Sequence, residues 1–367
     1  MENTKKIIAV IGTRPDGIKM CPLIKEMRGR KDIEVTVCAT GQHRDLLDDV
    51  LETFGIIPDY DLGIMREGQD LFDITTLVMG GMRDIFIAEK PDGVLVHGDT
   101  TSAFASALAA FYLKIPVFHV EAGLRTYDIY SPYPEEFNRR AIGAMAQKHF
   151  APTERARDNL LSEGIDRRDV SVTGNTVIDA LRTTVSGEYS RPCLRHARGE
   201  RTILLTAHRR ENCGDAMRGI FSAVRRVAKE RADVKIIYPM HPNPAIRKVA
   251  EDMLGTCKNI SLCEPLGVGD FHKILSNCYL VLTDSGGVQE EASALGKPVL
   301  VLRNTTERVE GIESGGIRLA GTSEMSVYRG ITKLLDDGAL YYAMSVAKNP
   351  YGDGNASKRI ADIVGSF

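Results

Sequence analysis

Acidic side chains that directly follow apolar runs are the first candidates for chemistry in this 367-residue sequence. Asp99 ends the run GVLVHGD, and Glu121 follows PVFHV. Burial and neighbouring charges tune the pKa values of carboxyl groups at such positions, which suits them to proton transfer. Glu135, which lies in SPYPEEFNRR, and His208, which follows TILLTA, are further candidate acid–base groups. Polar residues follow strands in any α/β protein, so an ordinary loop role stays open for each of them.

Two glycine-containing turns have the composition of phosphate-binding loops. In IGTRPDGIKM (11–20), Arg14 stands where a dinucleotide loop has its second glycine, and Lys19 comes one residue too late for a Walker A loop. Free N–H groups at the start of the following helix favour an anion, and a guanidinium can bind phosphate through two hydrogen bonds. Ser285, Gly286 and Gly287 form a similar turn between YLVLTD and a second helix. Either turn could instead do no more than cap its helix.

Composition excludes several classes of function. The histidines and cysteines are scattered without the spacing of a zinc site, so we predict no catalytic metal. A net charge of −2 argues against binding of nucleic acid or a membrane surface, which requires a basic face. No apolar stretch approaches the ~20 residues of a membrane span, and the N-terminal run is too short for a signal peptide. Seven cysteines without a C-x-x-C pair are typical of a reducing compartment, which predicts a cytoplasmic location.

The elements that position these residues alternate along the chain. Short β-branched apolar runs, from KIIAVIG to KPVLVLR, are separated by helical patterns such as TSAFASALAAFYL. Continuous apolar runs are typical of strands that are buried on both faces of a parallel sheet, so we predict an α/β fold. Because ligands of such sheets bind beyond the carboxyl ends of the strands, the polar residues named above are well placed for binding.

A break in this rhythm divides the chain into two parts. Polar residues accumulate over 176–200, and the alternation resumes at Thr202. We therefore predict two Rossmann-like domains with a central cleft, 1–175 with the acid–base candidates and 176–354 with the second phosphate-binding turn. A stretch rich in proline and glycine precedes a last helix, 355–367, which we expect to pack back on the first domain.

The ordered motifs of the chain resemble those of the non-hydrolysing UDP-N-acetylglucosamine 2-epimerases. They span nearly the whole chain and include GTRPDGIKM, TGQHR, HGDTTSAFA, HVEAGLRT, SPYPEEFNRR, TAHRREN and TDSGGVQEEA. The resemblance implies a glycosyltransferase-B-like fold, a homodimer and reversible inversion at C2 between UDP-GlcNAc and UDP-ManNAc. It implies elimination of UDP to give 2-acetamidoglucal, followed by re-addition, with no cofactor. The product would supply activated ManNAc for surface polysaccharide synthesis.

The resemblance also assigns roles to single residues. Asp99, Glu121 and Glu135 match the acid–base carboxylates of the family, and His208 matches a histidine at the substrate diphosphate. Phe271 is expected to stack on uracil, and Glu291 is expected to hold the ribose hydroxyls. The implied substrate-binding residues are Arg14, Lys19, Arg209, Phe271, Ser285, Gly286, Gly287 and Glu291.

Many bacterial members of the family bind a second UDP-GlcNAc as an activator beside the substrate. The chain departs from the usual family residues in this region at Asp45 and Gly68. It also carries Asp16 and Gly17 where relatives usually have Glu-Ala. The candidate effector-binding residues are Gln42, His43, Arg66 and His241.

Several other functions stay open on the sequence. They are a 2-epimerase of a related UDP-diacetamido sugar, a hydrolysing epimerase that releases UDP and ManNAc, a glycosyltransferase of the same fold, and a nucleotide-sugar-binding regulator without activity. A glycosyltransferase would need an acceptor groove. The three carboxylates together with Arg14 argue against the transferase. The regulator is disfavoured because a protein that only binds needs no such set as Asp99, Glu121, Glu135 and His208.

Overall fold

The computed structural model describes residues 4–41, 44–66, 68–185, 201–209, 212 and 214–367. The chain forms two compact α/β units: the first comprises Met1–Thr183 and Tyr351–Phe367, and the second comprises Thr184–Pro350. Each unit is built around its own parallel sheet. The structure therefore confirms the predicted fold class of two Rossmann-like α/β domains.

The sheet of the first unit has the strand order β3-β2-β1-β4-β5-β6-β7, and its strands are parallel. Its strands are β1 (Lys5–Ile11), β2 (Ile33–Ala39), β3 (Tyr60–Asp61), β4 (Gly93–His97), β5 (Val117–Val120), β6 (Lys148–Ala151) and β7 (Val170–Val172). Its helices are α1 (Arg14–Arg28), α2 (Arg44–Phe54), α3 (Leu71–Glu89), α4 (Thr101–Tyr112), α5 (Glu135–Met145), α6 (Glu154–Ser162), α7 (Thr176–Thr184) and the last helix of the chain, α15 (Ala356–Gly365).

The order of this sheet reverses between β1 and β4, because β2 and β3 lie on one side of β1 and the later strands lie on the other. Doubly wound sheets bind their ligands at the carboxyl ends of the strands beside such a switch point. Every residue of β4 is buried, as expected for a strand covered on both faces. The residues that follow β1, β4 and β5 are therefore the ones to consider as functional groups.

Threonine side chains begin three of the helices that follow strands. Thr13, Thr100 and Thr153 are the N-caps of α1, α4 and α6, and each accepts a hydrogen bond from a backbone N–H three residues further on. The turn before α1 also requires Gly12, because a Cβ at this position would lie 2.6 Å from the Cβ of Ser102. These capped turns determine where each helix starts, at the carboxyl end of the sheet where the candidate residues lie.

The second unit repeats the same winding, with the strand order β10-β9-β8-β11-β12-β13. Its strands are β8 (Arg201–Thr206), β9 (Val234–Pro239), β10 (Ile260–Cys263), β11 (Leu280–Thr283), β12 (Val299–Val301) and β13 (Ile317–Leu319). Its helices are α8 (Asp215–Glu230), α9 (Pro244–Leu254), α10 (Val268–Asn277), α11 (Gly286–Ala294), α12 (Val309–Glu313), α13 (Glu324–Asp336) and α14 (Gly338–Ser345). Here the switch point lies between β8 and β11.

The strands expected from apolar runs are present, and the structure adds two that the sequence pattern missed. These are β3, which has two residues, and β13, which has three. Both lie at sheet edges and are largely exposed. A strand this short presents no apolar run, so its position depends on the neighbouring strand with which it pairs.

The division between the units differs from the boundary expected after residue 175. In the structure nearly all of α7 belongs to the first unit, together with the segment that begins at Tyr351. The Asn175 N–H donates to the Tyr351 carbonyl over 2.7 Å, and the Asp179 carboxylate accepts from the N–H groups of Ala356 and Ser357 at the start of α15. The residues around α7 therefore anchor the returning helix.

Candidate active site

The predicted acid–base carboxylates of the first unit lie after neighbouring strands of its sheet. Asp99 follows β4, Glu121 follows β5, and Glu135 is the first residue of α5. Arg14 begins α1, directly after β1, and is half-buried. Lys19 lies one turn further along this helix and is buried.

Glu121 is held in an unusual conformation by several partners. Its φ of 61° lies in the left-handed region, which a residue with a side chain rarely adopts, and such strain is typical of functional sites. Lys19 forms an ion pair with Oε2, and the Asn175 amide donates to the same oxygen over 2.7 Å. Burial by itself would raise the pKa of this carboxyl, but the positive charges of Lys19 and His97 outweigh burial and hold the pKa well below its usual range.

Asp99 has the opposite electrostatic character. Burial raises the pKa of its carboxyl, and the nearby charges of Glu121 and Glu135 add to this effect. Arg139 of α5 forms an ion pair with the carboxylate and opposes the rise. The Asn138 amide donates to the Asp99 backbone carbonyl over 2.9 Å and fixes the turn. Asp99 and Glu121 thus lie at the carboxyl ends of adjacent strands, and their pKa values shift in opposite directions.

The structure separates the roles of the adjacent residues Glu135 and Glu136. Glu136 is fully buried, and its two oxygens accept from the backbone N–H groups of Thr126 and Tyr127 at 3.0 and 3.1 Å. It therefore holds the loop before α5 in place. Glu135 instead has a buried Oε2 that receives no hydrogen bond from the described residues. Glu135 is therefore the one of the pair that is available for a ligand.

Two further groups in this region were not found from the sequence. His97 is the last residue of β4, and its Nδ1 lies 3.2 Å from Oδ1 of Asp16. Asp16 also forms the capping box of α1, where its Oδ2 accepts from the N–H groups of Gly12 and Thr13. Arg139 was missed as well, because its pairing with Asp99 joins a helix to a strand end forty residues away.

The carboxyl end of β11 organises the candidate residues of the second unit. Asp284 is fully buried, and its Oδ2 accepts from the backbone N–H groups of His208 and Arg209 at 2.8 and 2.9 Å. The Asn212 amide donates to the same oxygen over 3.0 Å. Asp284 thus fixes the loop after β8, and the His208 Nδ1 lies 3.2 Å from its other oxygen.

The start of α11 has the features of an anion-binding site. Ser285 is the N-cap residue, yet its side chain makes no capping hydrogen bond, and Gly286 and Gly287 follow it. The N–H groups of such a first turn carry partial positive charge and point out of the helix. A Cβ at Gly286 would lie 3.1 Å from the guanidinium carbon of Arg308, so only glycine lets this cation lie so close to the helix start.

Arg308 lies in the loop after β12 and was not predicted as a site residue. Its Nε donates to Oε1 of Glu290 over 2.7 Å. Glu307 contacts Arg308, Arg209 and Arg303. Burial tends to raise the pKa of Glu307, but Arg308 and Arg303 outweigh it and lower the pKa to about 2. A cluster of guanidinium groups therefore stands beside the turn that precedes α11.

Glu291 and Phe271 lie on the two helices α11 and α10. Nε2 of His272 is 3.5 Å from Oε2 of Glu291, and its Nδ1 shares a hydrogen bond of 2.6 Å with the Thr184 hydroxyl. The half-buried Phe271 ring lies 6.1 Å from the His272 ring, centroid to centroid. His272 thus connects an acidic group to an aromatic face, a pair that suits a nucleoside.

The candidate effector residues are only partly covered by the structure. Gln42 and His43 lie outside the described residues. Arg66 is exposed in the first unit, and its backbone N–H donates to the side chain of Gln69. His241 belongs to the second unit, and its ring stacks on His208 with a centroid distance of 5.4 Å. Burial, followed by the neighbouring His208, lowers the pKa of His241.

Within the described residues there is neither a cluster of metal ligands nor a membrane-spanning helix. No group of three or more His, Cys, Asp or Glu side chains in those ranges is arranged to hold a metal ion. Across the same part of the chain, no helix has both the length and the apolarity to cross a membrane.

The two doubly wound units define the class of protein, an α/β protein with the glycosyltransferase-B-like fold. One unit carries the candidate carboxyl groups, and the other carries the glycine-containing helix start. A family model described as UDP-N-acetylglucosamine 2-epimerase matches residues 25–365. The chain belongs to this family, which confirms the resemblance seen in its motifs.

Individual relatives can be aligned with this chain over almost their whole length. A UDP-N-acetylglucosamine 2-epimerase of Bacillus subtilis is 53% identical over 357 residues, which are 97% of this chain and 94% of the relative. That of Escherichia coli K12 is 47% identical over 366 residues, 97% of each chain. The crystal structure of the Neisseria meningitidis UDP-GlcNAc 2-epimerase bound to UDP-GlcNAc matches with a TM-score of 0.93 and 45% identity, over 99% of this chain and 100% of that chain.

Proposed function

We propose that the chain interconverts UDP-GlcNAc and UDP-ManNAc by inverting C2 of the sugar without net hydrolysis. The observation that carries this proposal is the pair Asp99 and Glu121, whose pKa values shift in opposite directions at one sheet edge. Such a pair supplies a proton donor and a proton acceptor at the same pH. Membership of the family, and the UDP-GlcNAc bound by the Neisseria meningitidis relative, support the choice of substrate.

The proposed reaction passes through an alkene. The C2 proton is not adjacent to a carbonyl, so its direct removal to give a carbanion is too costly. One carboxylate instead takes this proton while the C1–O bond breaks, UDP leaves with the bonding electrons, and the C1–C2 double bond of 2-acetamidoglucal forms. A carboxylic acid then delivers a proton to the opposite face of C2 as the UDP oxygen bonds to C1. UDP is released and recaptured, so no water is consumed.

We assign the two proton-transfer roles from the electrostatics. Glu121, with its lowered pKa, is the acceptor, and Oε2 is already occupied by Lys19 and Asn175. Asp99, with its raised pKa, is the donor. The charge of Glu135 raises the pKa of Asp99, and we assign Glu135 the role of keeping Asp99 protonated. In the reverse direction the same two groups exchange roles, as microscopic reversibility requires.

The second unit is proposed to bind UDP. The N–H groups at the start of α11, the Ser285 hydroxyl and Arg308 are suited to the diphosphate. Glu291 is suited to the ribose diol and Phe271 to stacking on uracil. Stabilisation of the departing diphosphate lowers the barrier, because negative charge on the leaving oxygen grows as the C1–O bond breaks.

Replacing Arg308 with glutamine is expected to weaken UDP binding about 10–100-fold, since a charge-assisted hydrogen bond contributes about 1.5–3 kcal/mol. Isothermal titration of the purified protein with UDP measures this change. Arg226→Gln is the matched control: its guanidinium is ion-paired with Glu230 on α8 of the same unit and should leave UDP affinity unchanged. Equal affinity in the Arg308 variant and the wild type would remove Arg308 from the diphosphate site.

Incubation with UDP-GlcNAc in D2O tests the function as a whole. Nuclear magnetic resonance should detect UDP-ManNAc with deuterium at C2, because the proton is exchanged during inversion. Free ManNAc together with UDP would instead identify the hydrolysing reaction. Absence of any conversion of UDP-GlcNAc would refute the proposed function. The homodimer, the effector site, the cytoplasmic location and the role in polysaccharide synthesis stay predictions.

A further inference from the structure

His97 lies between two carboxylates that belong to different parts of the first unit. It is the last residue of β4 and is only 4% exposed. Its Nδ1 is 3.2 Å from Oδ1 of Asp16, and its Nε2 is 3.6 Å from Oε2 of Glu121. Nε2 is buried and makes no hydrogen bond within 3.5 Å to the described residues, so its nearest anionic group is Glu121.

Asp16 is itself rigidly held. Its Oδ2 accepts from the N–H groups of Gly12 and Thr13 at 3.2 and 3.0 Å, and from the Thr100 hydroxyl at 3.3 Å. These donors come from the β1–α1 turn and from the start of α4. They direct the other oxygen, Oδ1, towards Nδ1 of His97. The imidazole ring is therefore oriented from the side opposite Glu121.

The contacts also determine which protonation state the ring requires. Nδ1 faces an acceptor, so it carries a proton. Oε2 of Glu121 accepts from Lys19 and Asn175, so this oxygen is an unprotonated acceptor. A proton on Nε2 of His97 is therefore the arrangement that matches it. An imidazolium, with N–H groups on both sides, is the form that matches both carboxylates. Burial alone would lower the pKa of His97, but Glu121 and Asp16 outweigh burial and raise the pKa to about 9.

The charges that face His97 come from each neighbouring element. Asp16 and Lys19 lie on α1, and Glu121 follows β5. Asp99 comes two residues after the ring on the same strand end, and His119 lies on β5. Burial lowers the pKa of His119 to about 3, so this neighbour is neutral and does not compete for Glu121.

We propose that His97 is a positioning residue for proton transfer: anchored by Asp16, it holds Oε2 of Glu121 together with Lys19 and Asn175, and so presents Oε1 to the substrate. All three contacts fall on the same oxygen of Glu121. Such holding is needed because the left-handed backbone of Glu121 is strained and would otherwise relax. The inference rests on the proposed function, since it concerns the group that takes the proton.

Two substitutions separate the two ring nitrogens. In His97→Gln the amide nitrogen occupies the position of Nε2 and keeps a polar group beside Oε2 of Glu121, while Asp16 keeps its contacts through Oδ2. In His97→Asn the amide reaches only the position of Nδ1, so Oε2 of Glu121 loses the polar group that faces it at 3.6 Å. We expect kcat to fall about 10–100-fold in the asparagine variant and less than about fivefold in the glutamine variant, because loss of an orienting partner has effects of this size. KM and UDP affinity should stay within about threefold in both.

His149→Gln is the matched control, since His149 is also buried at a strand of the same sheet but contacts neither carboxylate by any described interaction. Melting temperatures identify losses that come from unfolding. If His97→Asn does not fold, His97→Met takes its place in the comparison. Methionine keeps the bulk of the side chain but donates no hydrogen bond. Equal kcat in the two His97 variants, or a lower kcat in His97→Gln, would overturn the inference. Failure of the wild type to convert UDP-GlcNAc would instead refute the proposed function.

Discussion

Replacing Glu121 with glutamine is expected to lower the rate of epimerisation about 10³–10⁴-fold, because the amide cannot accept the C2 proton and general bases contribute rate factors approaching this size. The amide oxygen can still accept from Lys19 and Asn175, so the variant should fold. UDP affinity should stay within about threefold, since UDP binding is assigned to the second unit. Rates with both epimers and titration with UDP measure the two quantities.

Elimination of UDP to give 2-acetamidoglucal can be measured separately from each epimer. Glu121→Gln should abolish elimination to 2-acetamidoglucal from the epimer whose C2 proton faces Glu121. Elimination from the other epimer should continue, because Asp99 remains as the base on that face. Glu154→Gln, an exposed side chain of α6 in the same unit, is the control and should retain full activity. Turnover of both epimers at near the wild-type rate in Glu121→Gln would show that another group takes the proton.

Replacing Asp99 with asparagine should lower epimerisation about 10²–10⁴-fold, with the opposite pattern of partial reactions. The asparagine cannot protonate C2, so the epimer that reacts through Glu121 should give 2-acetamidoglucal and UDP instead of the inverted sugar. Arg139 keeps Glu136 as a partner at 3.5 Å, which limits the structural damage. Asp158→Asn on α6 is the exposed control. Identical product patterns from the Asp99 and Glu121 variants would contradict their separate roles.

The pH dependence of the wild type follows from the raised pKa of Asp99 and the lowered pKa of Glu121. In the proposed mechanism the active form of the pair carries one proton, on Asp99, while Glu121 is ionised. Activity should therefore appear as pH rises through the lowered pKa of Glu121 and disappear as pH rises through the raised pKa of Asp99. The alkaline fall in kcat/KM must be the same in both directions, because the equilibrium between the epimers involves no net proton. An unchanged alkaline limb in the residual activity of Asp99→Asn would exclude Asp99 as the source of the profile.

Much of the architecture could be predicted from local sequence. Continuous apolar runs such as GVLVH form buried parallel strands because side chains on both faces must avoid water, and Thr13 and Thr100 cap the helices that follow. The carboxyl ends of these strands carry Asp99 and Glu121, which the order of residues alone brings to one sheet edge. The short strands β3 and β13 could not be predicted, because pairing with a neighbour, not composition, forms them.

What the sequence by itself determined was the fold class, the family and the identity of the candidate acids. The tertiary structure decided how those acids differ. Lys19, Asn175 and His97 meet at Glu121 from distant parts of the chain, and the charges of Lys19 and His97 outweigh burial and lower the pKa of its carboxyl. Burial and nearby carboxylates act in the opposite sense on Asp99. A pKa depends on burial and on charges through space, and neither quantity can be read from spacing along the chain.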